Sequence, residues 1–185
     1  MPGNPVRHII LDRDGVINAD SDDFIKSPDE WIPLEGSLEA IARLNQAGYL
    51  VGIATNQSGI GRGLFDLPAL NAMHQKMYQL LAKLGAHVDM IAFCPHLAED
   101  HCHCRKPLPG LYESLAARWD ISLKGIPIIG DSLRDLQAAQ AVDARPMLVK
   151  TGKGEKTLQQ LPPDHGIPVF DHLHHAVEQL LEESD

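Results

Sequence analysis

Four short clusters of polar residues could do chemistry. Asp12 and Asp14 stand one residue apart in Leu11-Asp12-Arg13-Asp14-Gly15, directly behind an apolar run. Two carboxylates projecting into one crevice repel each other, so they need a cation or a shared proton. A magnesium ion with oxygen ligands meets the first need, and a raised pKa on one partner meets the second. Asp131, beside Gly130, can complete a magnesium site begun by Asp12, and Asp135 can orient Asp131, Lys106 or a bound water. Thr55-Asn56-Gln57-Ser58-Gly59-Ile60-Gly61-Arg62-Gly63 offers a hydroxyl, amides, glycine-exposed N–H groups and an arginine, a set suited to a phosphate.

A further cluster is built on sulfur. All three cysteines, Cys94, Cys102 and Cys104, fall in one segment with His96, giving C-x-H-x5-C-x-C. Three thiolates and an imidazole make a closed tetrahedral zinc site with no position left for water, so the metal is expected to be structural. His101 and His103 compete with His96, but their closeness to Cys102 strains chelation. The loop 94–104 runs directly into Arg105-Lys106-Pro107 and would deliver both cations to a pocket.

The elements that must position these groups follow from periodicity. Val6–Leu11, Tyr49–Ala54, Val88–Phe93, Ile126–Gly130 and Pro146–Val149 read as buried strands. Between them, Ser37–Ala47, Pro68–Leu84 (N-cap Asp66, stripe Leu70, Met73, Met77, Leu80, Leu81, Leu84), Leu108–Trp119, Ser132–Ala141 and Asp171–Glu183 read as helices. Lys150–Lys156 reads as a flexible loop. The alternation predicts an α/β fold with a doubly wound, mostly parallel sheet covered on both faces. In such sheets ligands sit beyond the carboxyl ends of the strands, where all four polar clusters fall. His172, His174 and His175 read as a solvated helix face, and His8, His74 and His87 as packing or surface residues.

The chain has 185 residues, 44% apolar and 22% charged, which fits one globular domain spanning 1–185 with no linker or repeat. Its net charge of −9 argues against binding nucleic acid or an anionic membrane. The acids concentrate in residues 12–35 and 155–185, whereas residues 36–154 are slightly basic. Met1–Arg7 is not followed by an apolar leader core, and no run is apolar enough to span a bilayer. With three clustered thiols, the expected setting is the cytoplasm, and the expected state a monomer.

In order, D-x-D-G, a strand ending Thr-Asn, an isolated Arg-Lys-Pro and G-D-x-x-x-D resemble the haloacid dehalogenase (HAD) superfamily of aspartate-nucleophile phosphohydrolases, over almost the whole chain. The resemblance implies a Rossmann-like HAD fold with Asp12 as nucleophile and Asp14 as general acid and base. It also implies Thr55 and Lys106 on the phosphoryl oxygens, and Mg²⁺ held by Asp12, the Asp14 carbonyl and Asp131. The zinc loop resembles the histidinol-phosphatase-like subgroup. No cap domain fits in this length, so substrate contacts are expected from Asp20, Ser21, Asp22, Asp23, Asn56, Gln57, Ser58, Arg62, Arg105 and Ser132. Arg62 and Arg105 favour a small phosphorylated sugar, with histidinol phosphate as the alternative. A phospho-accepting receiver module is the reading from another class; its acceptor Asp should follow strand three, where this chain has cysteines.

Overall fold

A computed structural model describes residues 6–183; the outermost ends of the expected 1–185 domain, including Met1–Pro5 of the leader reading, lie outside the described residues. Strands β1 (Arg7–Leu11), β2 (Tyr49–Asn56), β3 (Met90–Cys94), β4 (Pro127–Gly130), β5 (Arg145–Val149) and β6 (Val169–Phe170) form one six-stranded sheet, ordered β3-β2-β1-β4-β5-β6. Every pairing is parallel. The chain winds outward from β1 through β2 to β3, then returns to β4 on the other side of β1. The order therefore reverses between β1 and β4, and the crevice for a ligand opens above that pair.

Side-chain alternation along β1 feeds two layers. Ile9 and Leu11 join Val51, Ile53, Ile129 and Met147 on one face, whereas Ile10 joins Ala54 and Ile128 on the other. The first face is covered by α1 (Ser37–Gln46), α3 (Leu67–Ala82) and α7 (Leu173–Glu182), whose Ile41, Leu44, Met73, Met77, Val177 and Leu180 are buried. The second is covered by α4 (Gly110–Trp119) and α5 (Leu133–Gln140), through Leu111, Tyr112, Leu115, Ala138 and Ala139. The methionine stripe of α3 is core as expected, but Leu84 lies past the helix end and is exposed.

Local signals fix the helix starts. Asp66 accepts a hydrogen bond from the Ala69 N–H at 2.9 Å, with Pro68 in the first turn. Ser132 and Asp135 form a capping box on α5.

Four elements escaped the sequence reading: the one-turn helix α2 (Ser58–Gly61), the 3-10 turn Ala98–Asp100, strand β6 and helix α6 (Gly154–Gln160). Strand β6 is two residues long, too short to carry a period. Helix α6 begins inside the segment expected to be a flexible loop, which is therefore corrected: Thr151 donates to the Gly15 carbonyl at 2.7 Å, and Gly154 packs onto Val149. His174 also departs from the solvated reading, because it is half-buried against Gly36, with Nε2 3.3 Å from Arg43.

Candidate active site

Asp12 leaves the end of β1 with its backbone N–H bonded to the Ile129 carbonyl of β4 at 2.9 Å, which places it over the reversal point. Its Oδ1 accepts from the Arg13 N–H at 2.8 Å and from Lys106 Nζ at 3.0 Å. Both fall on one oxygen of a residue that lines the pocket.

Lys106 is 2% exposed and held from three sides. Its Nζ meets Asp135 Oδ1 at 2.6 Å and donates to the Ala54 carbonyl at 2.8 Å. Asn56 grips its backbone, donating to the Lys106 carbonyl at 3.1 Å and accepting from its N–H at 3.0 Å. Asp135 is in turn fixed by the α5 capping box, with Oδ2 accepting from the Ser132 N–H and hydroxyl at 3.0 and 2.7 Å. Of the three partners open to Asp135 at the level of sequence, it takes Lys106.

Asp14 is the most heavily bonded carboxylate. Oδ1 accepts from Arg13 Nε and from Asn18 Nδ2, each at 2.9 Å, and Oδ2 accepts from Gln57 Nε2 at 3.0 Å. Gln57 also donates to the Thr55 hydroxyl at 2.9 Å, joining the ends of β1 and β2.

Asp131 closes the crevice from β4. Oδ2 accepts from the Lys153 N–H at 2.8 Å, and its carbonyl accepts from the Thr157 hydroxyl at 2.8 Å. Gly15 and Gly152, both at positive φ, approach so closely that a Cβ on either would run into the Asp131 carboxylate.

The charges follow from this packing. Burial and then the nearby Asp135 push Asp12 up to about 7, against the pull of Lys106. Burial and then Asp12 push Asp131 up to about 9. Burial alone would lower the Lys106 pKa, but Asp12 and Asp135 outweigh it and the net shift is upward. Burial would raise Asp135, yet Lys106 reverses this and holds it below the usual carboxylate range. Protein cations therefore satisfy Asp135 but leave Asp12 and Asp131 short of positive charge. Carboxylate oxygens of Asp12, Asp131 and Asp135 lie within 4.8 Å of one another. Since Lys106 and Ser132 occupy both Asp135 oxygens, a hard divalent cation would draw on Asp12 and Asp131.

Above these groups lies a pocket of about 260 Å³. Asp20, Ser21, Asp22, Ser58, Arg62, Arg105 and Ser132, named from the sequence as candidate substrate contacts, line it, and so do Thr55, Asn56 and Gln57. Asn56 and Gln57 spend their amides on Lys106 and Asp14, so they serve those residues more than a ligand. Asp23 is a correction: it is absent from the lining, because the chain turns at Phe24 (φ 66°) and presents Phe24 and Ile25 instead. Sequence reasoning also missed two rim cations, Arg134 and Lys153, the latter 3.1 Å from Asp20.

Beside the pocket, the sulfur cluster is assembled. Cys94 Sγ lies 3.7 Å from Cys102 Sγ and 3.5 Å from His96 Nδ1. Cys104 Sγ lies 3.6 Å from Cys102 Sγ and 3.3 Å from His96 Nδ1. Zn–S and Zn–N bonds of standard length set tetrahedral edges of roughly 3.5–3.8 Å, so the four donors surround a position of the right size. His101 and His103 are exposed and outside the cluster.

Parallel doubly wound sheet, aspartates at the β1/β4 reversal, buried lysine and capless pocket together define a HAD-like phosphohydrolase. A family model described as polynucleotide kinase 3 phosphatase matches residues 9–133, and one described as HAD-hydrolase-like matches residues 103–176. The D-glycero-beta-D-manno-heptose-1,7-bisphosphate 7-phosphatase of Bordetella bronchiseptica is 58% identical over 176 residues, covering 95% of this chain and 98% of the relative. The protein of the same name from Pseudomonas aeruginosa is 53% identical, covering 94% and 97%. The crystal structure of the B. bronchiseptica enzyme, complexed with magnesium and phosphate, superposes with a TM-score of 0.93 over 96% of this chain and 99% of that one. The Burkholderia thailandensis D,D-heptose 1,7-bisphosphate phosphatase, 47% identical, gives 0.75 over 95% and 98%. The chain belongs to the D-glycero-beta-D-manno-heptose-1,7-bisphosphate 7-phosphatase family.

Proposed function

We propose that this chain removes the 7-phosphate of D-glycero-β-D-manno-heptose 1,7-bisphosphate in the cytoplasm, as a monomer, on the way to the heptose precursor of lipopolysaccharide. The observation that carries the reading is Asp12, aimed into the pocket with Lys106 Nζ 3.0 Å from its carboxylate. An Asp12 oxygen attacks phosphorus, the bond to the sugar oxygen breaks, and Asp14 gives that oxygen its proton. Water then attacks the aspartyl phosphate while Asp14 takes the water proton back, releasing phosphate and restoring Asp12. Lys106 and the Thr55 hydroxyl hold the transferring oxygens.

Asp12, Asp131 and the Asp14 carbonyl would hold Mg²⁺, which when bound offsets the repulsion between a carboxylate and a phosphate dianion. Burial, and then the neighbouring carboxylates, raise both Asp12 and Asp131, and a bound divalent cation would counter both effects. Cys94, His96, Cys102 and Cys104 would hold Zn²⁺ in a purely structural role, fixing the loop that carries Arg105 and Lys106. Four rim cations, Arg62, Arg105, Arg134 and Lys153, suit an anionic sugar with a second phosphate and oppose the ammonium of histidinol phosphate.

The test is phosphate release, with magnesium, from both anomers of the heptose bisphosphate and from histidinol phosphate. The β anomer should give the highest kcat/KM, and Asp12→Asn should abolish turnover of all three. Preference for histidinol phosphate would overturn the substrate, full activity of Asp12→Asn the mechanism, and a single phosphate per chain without recycling would point to a receiver module.

A further inference from the structure

Arg13, between the two aspartates, is completely buried. Its guanidinium is divided between two partners. Nε donates to Asp14 Oδ1 at 2.9 Å, with Nη2 also 2.9 Å from that oxygen, and Nη1 lies 3.1 Å from Nε2 of His74 on α3. A guanidinium only donates, so Nε2 must accept, which places the proton of a neutral His74 on Nδ1. His74 is itself 6% exposed. Burial, and then Arg13, hold it well below the usual histidine range, so it stays an acceptor at neutral pH.

The outcome at Asp14 is asymmetric. Arg13 Nε and Asn18 Nδ2 occupy both lone pairs of Oδ1, whereas Oδ2 carries one bond, from Gln57. A proton that Asp14 passes to a leaving group can therefore sit only on Oδ2. Which oxygen is saturated depends on where Arg13 points, and among the described residues the side chain that holds Arg13 from across the layer is His74.

We propose that His74 is a positioning residue of the phosphatase reaction: acting through Arg13, it turns the Asp14 carboxyl so that Oδ2 meets the leaving oxygen. This rests on Asp14 being the acid, as proposed above. Neither His74 nor Arg13 lines the pocket, so the effect belongs to the step that needs the proton rather than to binding.

The test compares two substrates. A sugar phosphate expels an alkoxide and needs the Asp14 proton in the first step, whereas p-nitrophenyl phosphate expels a stable phenolate and needs Asp14 only as the base of the hydrolysis both substrates share. His74→Leu should lower kcat/KM, which reports the step that expels the leaving group, about 10-fold or more on the heptose bisphosphate with KM within about twofold, and far less on the aryl phosphate. His74→Gln, whose amide oxygen can accept from Nη1, should recover most of the lost rate. Equal losses on both substrates, a change confined to KM, or no rescue by His74→Gln would overturn the proposal. Should His74→Leu fail to fold, Arg13→Lys keeps the charge but cannot bridge His74 and Asp14, and must show the same bias. Asp14→Asn separates the layers. If it shows no alkyl bias, the assignment of the acid falls; if it does and the His74 and Arg13 variants do not, only this inference falls.

Discussion

Gly152 belongs to none of the motifs, yet replacing it by alanine should cripple the enzyme. Its φ of +58° is one that L side chains rarely adopt, and its Cβ would lie 2.6 Å from Gly15 Cα and closer still to Asp131 Oδ2. Ordinary contact begins at 3.4 Å, so the loop must retreat by about 0.8 Å or push Asp131 aside. The backbone strain alone costs roughly 1–2 kcal/mol. Gly166→Ala is the matched control: φ is +66°, but nothing lies within 4 Å of its Cβ. Both variants should therefore melt about 2–8 °C below wild type, at roughly 2–4 °C per kcal/mol for a chain of this size. Only Gly152→Ala should also lose activity, on the order of 10²-fold, as expected for misplacement approaching 1 Å at a reacting centre. It should need more magnesium for half-maximal rate, because the displaced carboxylate is Asp131. Phosphate release titrated against magnesium, beside thermal melts of both variants, reads all of this. If Gly152→Ala matched Gly166→Ala in rate and magnesium dependence, the claim that the β5–α6 loop sets Asp131 would be wrong.

Lys106→Met should abolish turnover and also destabilise, by roughly 3–5 kcal/mol, because it strands the buried Asp135 charge; near-native stability by chemical denaturation would contradict the pairing. Metal analysis of the purified protein should find one zinc per chain, and stripping it should raise KM much more than it lowers kcat; an unchanged KM would detach the loop from substrate binding. Burial and Arg13 lower His74 to about 4 from 6.5, so below about pH 6.5 the unfolded chain takes up a proton that the folded one refuses. Stability from this group is complete above pH 6.5 and is lost as pH falls toward 4, by about 3 kcal/mol in all. His74→Gln should show that much less acid sensitivity between pH 7 and 4 in denaturant titrations, and parallel wild-type and variant curves would refute the shift.

Most groups legible in the sequence declare their chemistry within a few residues of a strand end, while Lys106 is declared by the sulfur loop that leads into it. Asp12 and Asp14 follow β1, Thr55 stands one residue before the end of β2, Cys94 closes β3 and Asp131 follows β4, so a strand pattern and a polar residue type sufficed to place them. The S-x-x-D spacing that caps α5 is equally local, though its consequence, Asp135 locked onto Lys106, joins residues from different loops. Gly152 and Lys153 were opaque for the opposite reason. Nothing in Lys150–Lys156 marks a site until β5 is seen beside β4, which brings the loop under Asp131. Asp23 misled because three acids in a short loop look equivalent, and only the turn at Phe24 decides which face the pocket. His74 shows the limit most clearly. On α3 it sits among core methionines, and packing was a fair expectation, but its partner Arg13 lies 61 residues away in sequence. Sequence spacing exposes residues that meet a ligand at a strand end; those that aim such residues are chosen by contacts between distant segments. On the proposed mechanism, the orientation of Asp14 would be set through such a contact, that of Arg13 with His74.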